Sequence, residues 1–262
     1  MTNQPIVNVF EDEEHMIGAL AERIVDMAAA CQKRTGRFVA ALSGGNTPRP
    51  LYEKLATEPF VSRMDWESCY FFLSDERCVE HASPESNYNM IRQCLLQKAP
   101  VPEENIFATR YQEEDPAKSA ADYQSAIESF FGDSGGDPVF DLILLGMGPD
   151  GHTASLFPGT RALDEKDRLV VANFVEKFDA YRITFTLPLI NRAEHVFFMV
   201  TGHAKSEIVA SVLSDESTDY PAQLVGQSDY SSGGGETRDL CTITWYLDKG
   251  ASSLLDLAAT PT

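Results

Sequence analysis

Phe140-Asp141-Leu142-Ile143-Leu144-Leu145, followed at once by Gly146-Met147-Gly148-Pro149-Asp150-Gly151-His152-Thr153-Ala154-Ser155, decides how this chain is read. The first six residues are mostly apolar and match one strand buried on both faces, as strands of a parallel sheet are. The glycines, the aspartate and the histidine that follow form a loop whose backbone can come close to a ligand and which carries two titratable groups. Ligand sites of α/β proteins lie at the carboxyl ends of their strands. Taken alone, the stretch also reads as an ordinary glycine-rich turn with a surface histidine, so the rest of the chain must arbitrate.

Outward from this stretch, strand and helix patterns alternate. Strands are expected over 6–10, 38–42, 69–73, 169–174, 182–187, 195–200 and 241–247, and helices over 11–34, 47–56, 86–96, 115–131, 202–213 and 250–258. Thr47 and Ser86 are read as helix N-caps, with Pro48 the first helical residue of the earlier one. The stretches 133–138 and 228–237 are loops by composition, and neither is long enough to link domains. The pattern predicts an α/β fold with a mainly parallel sheet covered on both faces, as a single domain over 1–262.

Composition narrows the function. A formal charge of −19 and the lack of a Lys/Arg cluster argue against nucleic acid as a partner. An anionic metabolite would then need a local pocket of cations and backbone N–H groups set against the global field. Five scattered cysteines with no C-x-x-C pair fit reduced thiols, and no apolar run reaches the length of a membrane span. With no signal-peptide pattern at Met1-Thr2-Asn3-Gln4-Pro5, the expected compartment is the cytoplasm.

Four strand ends carry the candidate chemistry. Ser43-Gly44-Gly45-Asn46-Thr47-Pro48 places successive N–H groups before a helix, the arrangement of an anion nest, with neither P-loop nor dinucleotide spacing. Ala41 breaks the G-x-S-x-G elbow that would make Ser43 a nucleophile. Ser74-Asp75-Glu76-Arg77 is either a solvated corner or a place where a carboxylate orients a base or a water. Asp150 and His152 suit general acid–base work, and no further His or Cys stands at a spacing that would hold a metal. In Thr201-Gly202-His203-Ala204-Lys205 the lysine opposes the helix dipole, which gives it a reason to meet an anion, and Arg182 could join it.

Together these segments resemble the 6-phosphogluconolactonase family, within the glucosamine-6-phosphate isomerase/deaminase superfamily. The resemblance rests on 42–48, on 74–79 with Ser86-Asn87-Tyr88, on 146–158, on Arg182-Ile183-Thr184-Phe185-Thr186-Leu187-Pro188, on Gly202-His203-Ala204-Lys205 and on Trp245-Tyr246-Leu247-Asp248. It implies a Rossmann-like three-layer α/β/α fold shared with glucosamine-6-phosphate deaminases and ribose-5-phosphate isomerases. It further implies hydrolysis of 6-phospho-D-glucono-1,5-lactone in the oxidative pentose phosphate pathway, with no cofactor, by a monomer or small homo-oligomer. Deaminases resemble the 146–158 loop but carry an acid before its proline, where this chain has Phe157. On this reading His152 activates water, Asp75 or Asp150 orients it, and Arg77 stabilises the oxyanion or the substrate. Ser43, Gly44, Gly45, Asn46, Thr47, Arg182 and Lys205 hold the phosphate. The rival is a non-catalytic phosphosugar-binding regulator on the same fold.

Overall fold

The alternation folds as a seven-stranded parallel sheet in the computed structural model, which describes residues 4–110, 115–132, 137–214, 220–227 and 241–255. In chain order the strands are Ile6–Phe10 (β1), Phe38–Leu42 (β2), Cys69–Leu73 (β3), Asp75–Arg77 (β4), Ile106–Phe107 (β5), Leu142–Leu145 (β6), Val170–Val175 (β7), Ala180–Phe185 (β8), His195–Val200 (β9) and Thr242–Asp248 (β10). The α-helices are Glu13–Thr35 (α1), Arg49–Leu55 (α2), Asn87–Ile91 (α3), Pro116–Gly132 (α4), Leu187–Ile190 (α5), Ser206–Val212 (α6) and Pro221–Leu224 (α7).

The large sheet runs β1-β10-β9-β6-β2-β3-β5, every neighbour parallel. The period of two along each strand divides the core into two faces. Phe38, Ala40 and Leu42 of β2 and Leu142 and Leu144 of β6 pack with Leu20 and Ile24 of α1 and Leu51 and Tyr52 of α2. Val39 and Ala41, with Ile143 and Leu145, pack on the other face with Tyr123 and Ile127 of α4 and Ile208 and Val209 of α6. Helices cover both faces of one sheet, and that is the three-layer α/β/α arrangement.

Local chemistry sets the limits of the elements. Asp12 caps α1 by accepting from the His15 N–H at 2.9 Å, and Gly36 ends that helix at φ 81°, in the left-handed region. Ser86 caps α3 as its type and place predict, its Oγ accepting from the Asn89 N–H at 3.1 Å.

The expectations fail at specific places. Thr47 is no cap: Pro48 holds that position without a side-chain bond, and α2 starts at Arg49. The helix expected from Gly202 is a 3-10 turn over His203–Lys205 that passes into α6. Residues 250–254 form turns, and the rest of the helix expected over 250–258 lies largely outside the described residues, as do the loops at 133–138 and 228–237. The largest departure is a second sheet, β4-β8-β7, which is antiparallel throughout. Arg182 is therefore mid-strand in a hairpin and not at the opening of a parallel strand. The hairpin turns at Glu176–Phe178 and Asp179, the latter at φ 47°.

Candidate active site

The strand order reverses between β2 and β6. The chain adds β3 and β5 on one side of β2, then returns to place β6 on its other side. Loops leaving the carboxyl ends of β2 and β6 diverge, and the crevice between them is where open α/β sheets bind ligands. A cavity of about 190 Å³ opens there. Its walls are Ser43–Pro48 after β2, Gly146–Gly148, His152 and Ala154 after β6, Asp75 and Arg77 of β4, and Asn87 at the start of α3.

The β2 loop supplies donors. Ser43 is fixed by Tyr52, whose hydroxyl accepts from Ser43 N–H at 3.1 Å and donates to Ser43 O at 2.8 Å. Beyond it, the N–H groups of Gly44, Gly45, Asn46 and Thr47 have no acceptor among the described residues. Gly45 lies at φ 94°, which a side chain would resist. Among the described residues Ser43 Oγ bonds to Gly44 O alone, at 3.4 Å, and not to an imidazole that could activate it.

The β6 loop supplies the titratable pair. His152 Nδ1 and Asp150 Oδ1 are hydrogen-bonded. With Nδ1 donating to the carboxylate, Nε2 of the neutral ring is the free acceptor. Burial pushes the Asp150 carboxyl up, but the bond and charge of His152 outweigh it and hold it below its ordinary value. Lys177 Nζ meets Asp150 Oδ2 at 3.4 Å. Gly148 is a glycine for space: a Cβ there would fall 2.0 Å from the imidazole. The imidazole also stacks on Phe157, with centroids 4.0 Å apart. The side chain at the position where a deaminase carries an acid is thus an apolar wall against His152.

The small sheet adds charge. In β4 the side chains of Asp75 and Arg77 share the cavity face, and Glu76 between them points into the protein. Arg77 stands opposite Arg182 in the antiparallel register. Neither forms an ion pair among the described residues, and burial first, then the Arg77 charge, lowers the Arg182 pKa. Two opposed cations destabilise a strand pair unless an anion lies against them. Asp75 Oδ2 accepts from Ser155 Oγ at 2.6 Å. Ser155 N–H donates to Thr184 Oγ1, and Asn173 Nδ2 donates to Ser155 O, so the small sheet grips the far end of the β6 loop. Next to Ser155, Ala154 lies at φ 46°, an uncommon conformation for a non-glycine residue.

Of the residues singled out in the sequence, Ser43, Gly44, Gly45, Asn46, Thr47, Asp75, Arg77 and His152 line one cavity. Asp150 stands behind His152 and faces a neighbouring cavity of about 690 Å³ lined also by Phe157, Arg161, Phe174, Lys177 and Tyr181. Arg182 stands beside Arg77 on β8. Lys205 Nζ donates to Met147 O at 2.9 Å, and its pKa is lowered by burial against the pull of Asp150.

Two residues went unassigned in the sequence. Glu76 is 2% exposed, and each of its oxygens accepts two hydrogen bonds: Oε1 from Arg77 and Asn87 N–H, Oε2 from Ser86 Oγ and Tyr88 N–H. Burial raises its pKa against those donors. Asn87 Nδ2 donates to Asp75 O. The available signal is the alternation that turns Asp75 and Arg77 to the cavity and Glu76 to the protein interior.

Known proteins match nearly the full length of this chain. The family model for glucosamine-6-phosphate isomerases/6-phosphogluconolactonase matches residues 11–233. The 6-phosphogluconolactonase of a Nostoc species is 37% identical over 254 residues, covering 96% of this chain and 98% of that one. The solved 6-phosphogluconolactonase of Trypanosoma cruzi superposes with a TM-score of 0.82 at 30% identity, covering 98% of each chain. A monomeric glucosamine-6-phosphate deaminase, 19% identical, shares the fold with a TM-score of 0.77 over 95% of this chain and 100% of that one. The chain belongs to the glucosamine-6-phosphate isomerase/6-phosphogluconolactonase family.

Proposed function

We propose that this chain hydrolyses 6-phospho-D-glucono-1,5-lactone to 6-phospho-D-gluconate, in the oxidative pentose phosphate pathway. The observation that carries the proposal is the His152–Asp150 pair across one cavity from the open N–H groups of Gly44–Thr47. The names of the matching relatives support the same reaction.

The phosphate dianion is held by the loop N–H groups with Arg182 and Lys205 as counter-charges, so binding energy remote from C1 positions the reacting carbonyl. His152 Nε2 takes a proton from water as its oxygen bonds to C1. The carbonyl becomes an oxyanion, which Arg77 stabilises. The oxyanion then collapses, the bond from C1 to the ring oxygen breaks, and His152 returns its proton to that oxygen as it becomes a hydroxyl. Asp150 holds the imidazole tautomer and stabilises the transient imidazolium. Asp75, with Oδ2 engaged by Ser155, orients the water from its other oxygen. The phenyl ring of Phe157 has no proton to give, so the acid step of deamination has no donor at that position. Hydrolysis consumes only water, and the reading calls for no cofactor.

The partner on this reading is a small phosphosugar lactone met by a monomer or small homo-oligomer, with the whole chain as one domain. Among the described residues no helix is long and apolar enough to cross a membrane. Free, mostly buried thiols support the cytoplasm as the compartment. The direct test is turnover of freshly generated lactone, corrected for spontaneous hydrolysis. Acceleration proportional to protein concentration is expected. Binding of 6-phosphogluconate without any acceleration would favour the non-catalytic regulator.

A further inference from the structure

Asn87 is 5% exposed, and among the described residues only the Nδ2 end of its carboxamide is bonded. The bond from Nδ2 to Asp75 O, 2.9 Å long, fixes which end of the amide is the donor. Oδ1 then has no donor among the described residues. It is not sealed in the core, because Asn87 forms part of the cavity wall with Asp75, Arg77 and His152.

The seat of this amide is built from two sides. Its backbone N–H is held by Glu76 Oε1 at 2.8 Å. On the other side lies Gly44, where a Cβ would fall 2.0 Å from Asn87 Oδ1 and 2.1 Å from its Cγ. The backbone of Gly44 is not in the left-handed region. What requires glycine there is the amide, not a turn.

A carboxamide oxygen that lines a cavity and has no donor among the described residues is free to accept a hydrogen bond from a group in that cavity. On the lactonase reading, on which this inference rests, the ligand offers three kinds of polar group. A phosphate dianion and a lactone carbonyl present only acceptors, which Oδ1 repels. The ring hydroxyls are the donors. We propose that Asn87 is a specificity-determining residue whose Oδ1 accepts a hydrogen bond from a hydroxyl of the sugar lactone. The site thereby selects a polyhydroxylated phospholactone, and the phosphate is turned toward the donors at the far end of the Ser43–Thr47 loop.

The test compares two ligands by calorimetry on the full chain, 6-phosphogluconate, which carries the hydroxyls, and inorganic phosphate, which has none. Asn87→Ala should weaken 6-phosphogluconate about 3- to 10-fold, the worth of one uncharged hydrogen bond. Its affinity for inorganic phosphate should stay within about twofold. Equal loss for both ligands, or loss for neither, overturns the inference. A crystal structure of the unmutated chain with 6-phosphogluconate gives an answer that does not depend on the variant folding. A ligand hydroxyl within about 3.2 Å of Oδ1 is expected, and its absence overturns the inference. An unmutated chain that neither binds 6-phosphogluconate nor hydrolyses the lactone overturns the functional reading together with this one. A chain that does both while Asn87→Ala shows no selective loss overturns only this one.

Discussion

The carboxyl ends of β2 and β6 and the small sheet of β4, β7 and β8 meet at one cavity, yet they contribute different chemistry. The parallel sheet delivers backbone: a loop with open N–H groups after β2, and after β6 a glycine-rich loop that carries the imidazole–carboxylate pair. The antiparallel sheet delivers side chains, with Asp75 and Arg77 on one strand and Arg182 opposite on the next. It also fixes the end of the β6 loop through Ser155. On the proposed mechanism the β6 loop of the first region moves the proton, while the β2 loop and the cations of the small sheet meet the charge of the substrate and of its oxyanion. That division can be broken experimentally.

The largest effect is expected on the parallel-sheet side. His152→Ala should lower kcat about 10²–10⁴-fold, as loss of a general base does, with KM little changed in steady-state assays. A change confined to KM would move His152 from reaction to binding. Gly148→Ala approaches the same group from behind. Its Cβ would lie 2.0 Å from the imidazole, so the ring must move, and a displacement of about 1 Å can lower the rate about 10²-fold. Circular dichroism should show the fold retained while kcat falls. Retained kcat would mean that the ring position is not critical.

On the small-sheet side the signature should change from kcat to KM. Arg182→Ala removes a charge-assisted contact worth about 1.5–3 kcal/mol, which predicts a KM for the phosphorylated lactone raised at least tenfold. An unphosphorylated lactone should show no such rise, and equal rises on both would take Arg182 out of the phosphate site. The smallest effect concerns the joint between the regions. Glu76→Gln turns one acceptor oxygen into a donor facing N–H groups, and thermal or urea melts should show stability lowered by about 1–3 kcal/mol. Unchanged stability would make the buried carboxylate incidental to the framework.

The two regions also differ in how far the sequence reveals them. Runs such as Leu142-Ile143-Leu144-Leu145 are apolar on both faces and carry their loops with them, so the parallel sheet and the Ser43 and His152 loops are legible from pattern alone. The small sheet hides because β4 has only three residues, too few for a period to register, and all three are charged. The hairpin of β7 and β8 looks like two more strands of an alternating fold, although the short gap between them leaves no room for a crossover helix. Thr47 was misplaced for a local reason: Pro48 takes the cap position, and the threonine turns to the cavity instead. The role of Asn87 depends on Gly44, forty-three residues earlier, and no local pattern encodes that contact.

The measurement that bears most directly on the division of labour is the affinity of His152→Ala for 6-phosphogluconate by calorimetry. If the β6 loop reacts while the small sheet and the β2 loop hold the substrate, the variant binds within about tenfold of the unmutated chain, ~1.4 kcal/mol, despite its lost turnover. An affinity that falls in step with kcat would contradict the account, because His152 would then be part of what holds the ligand.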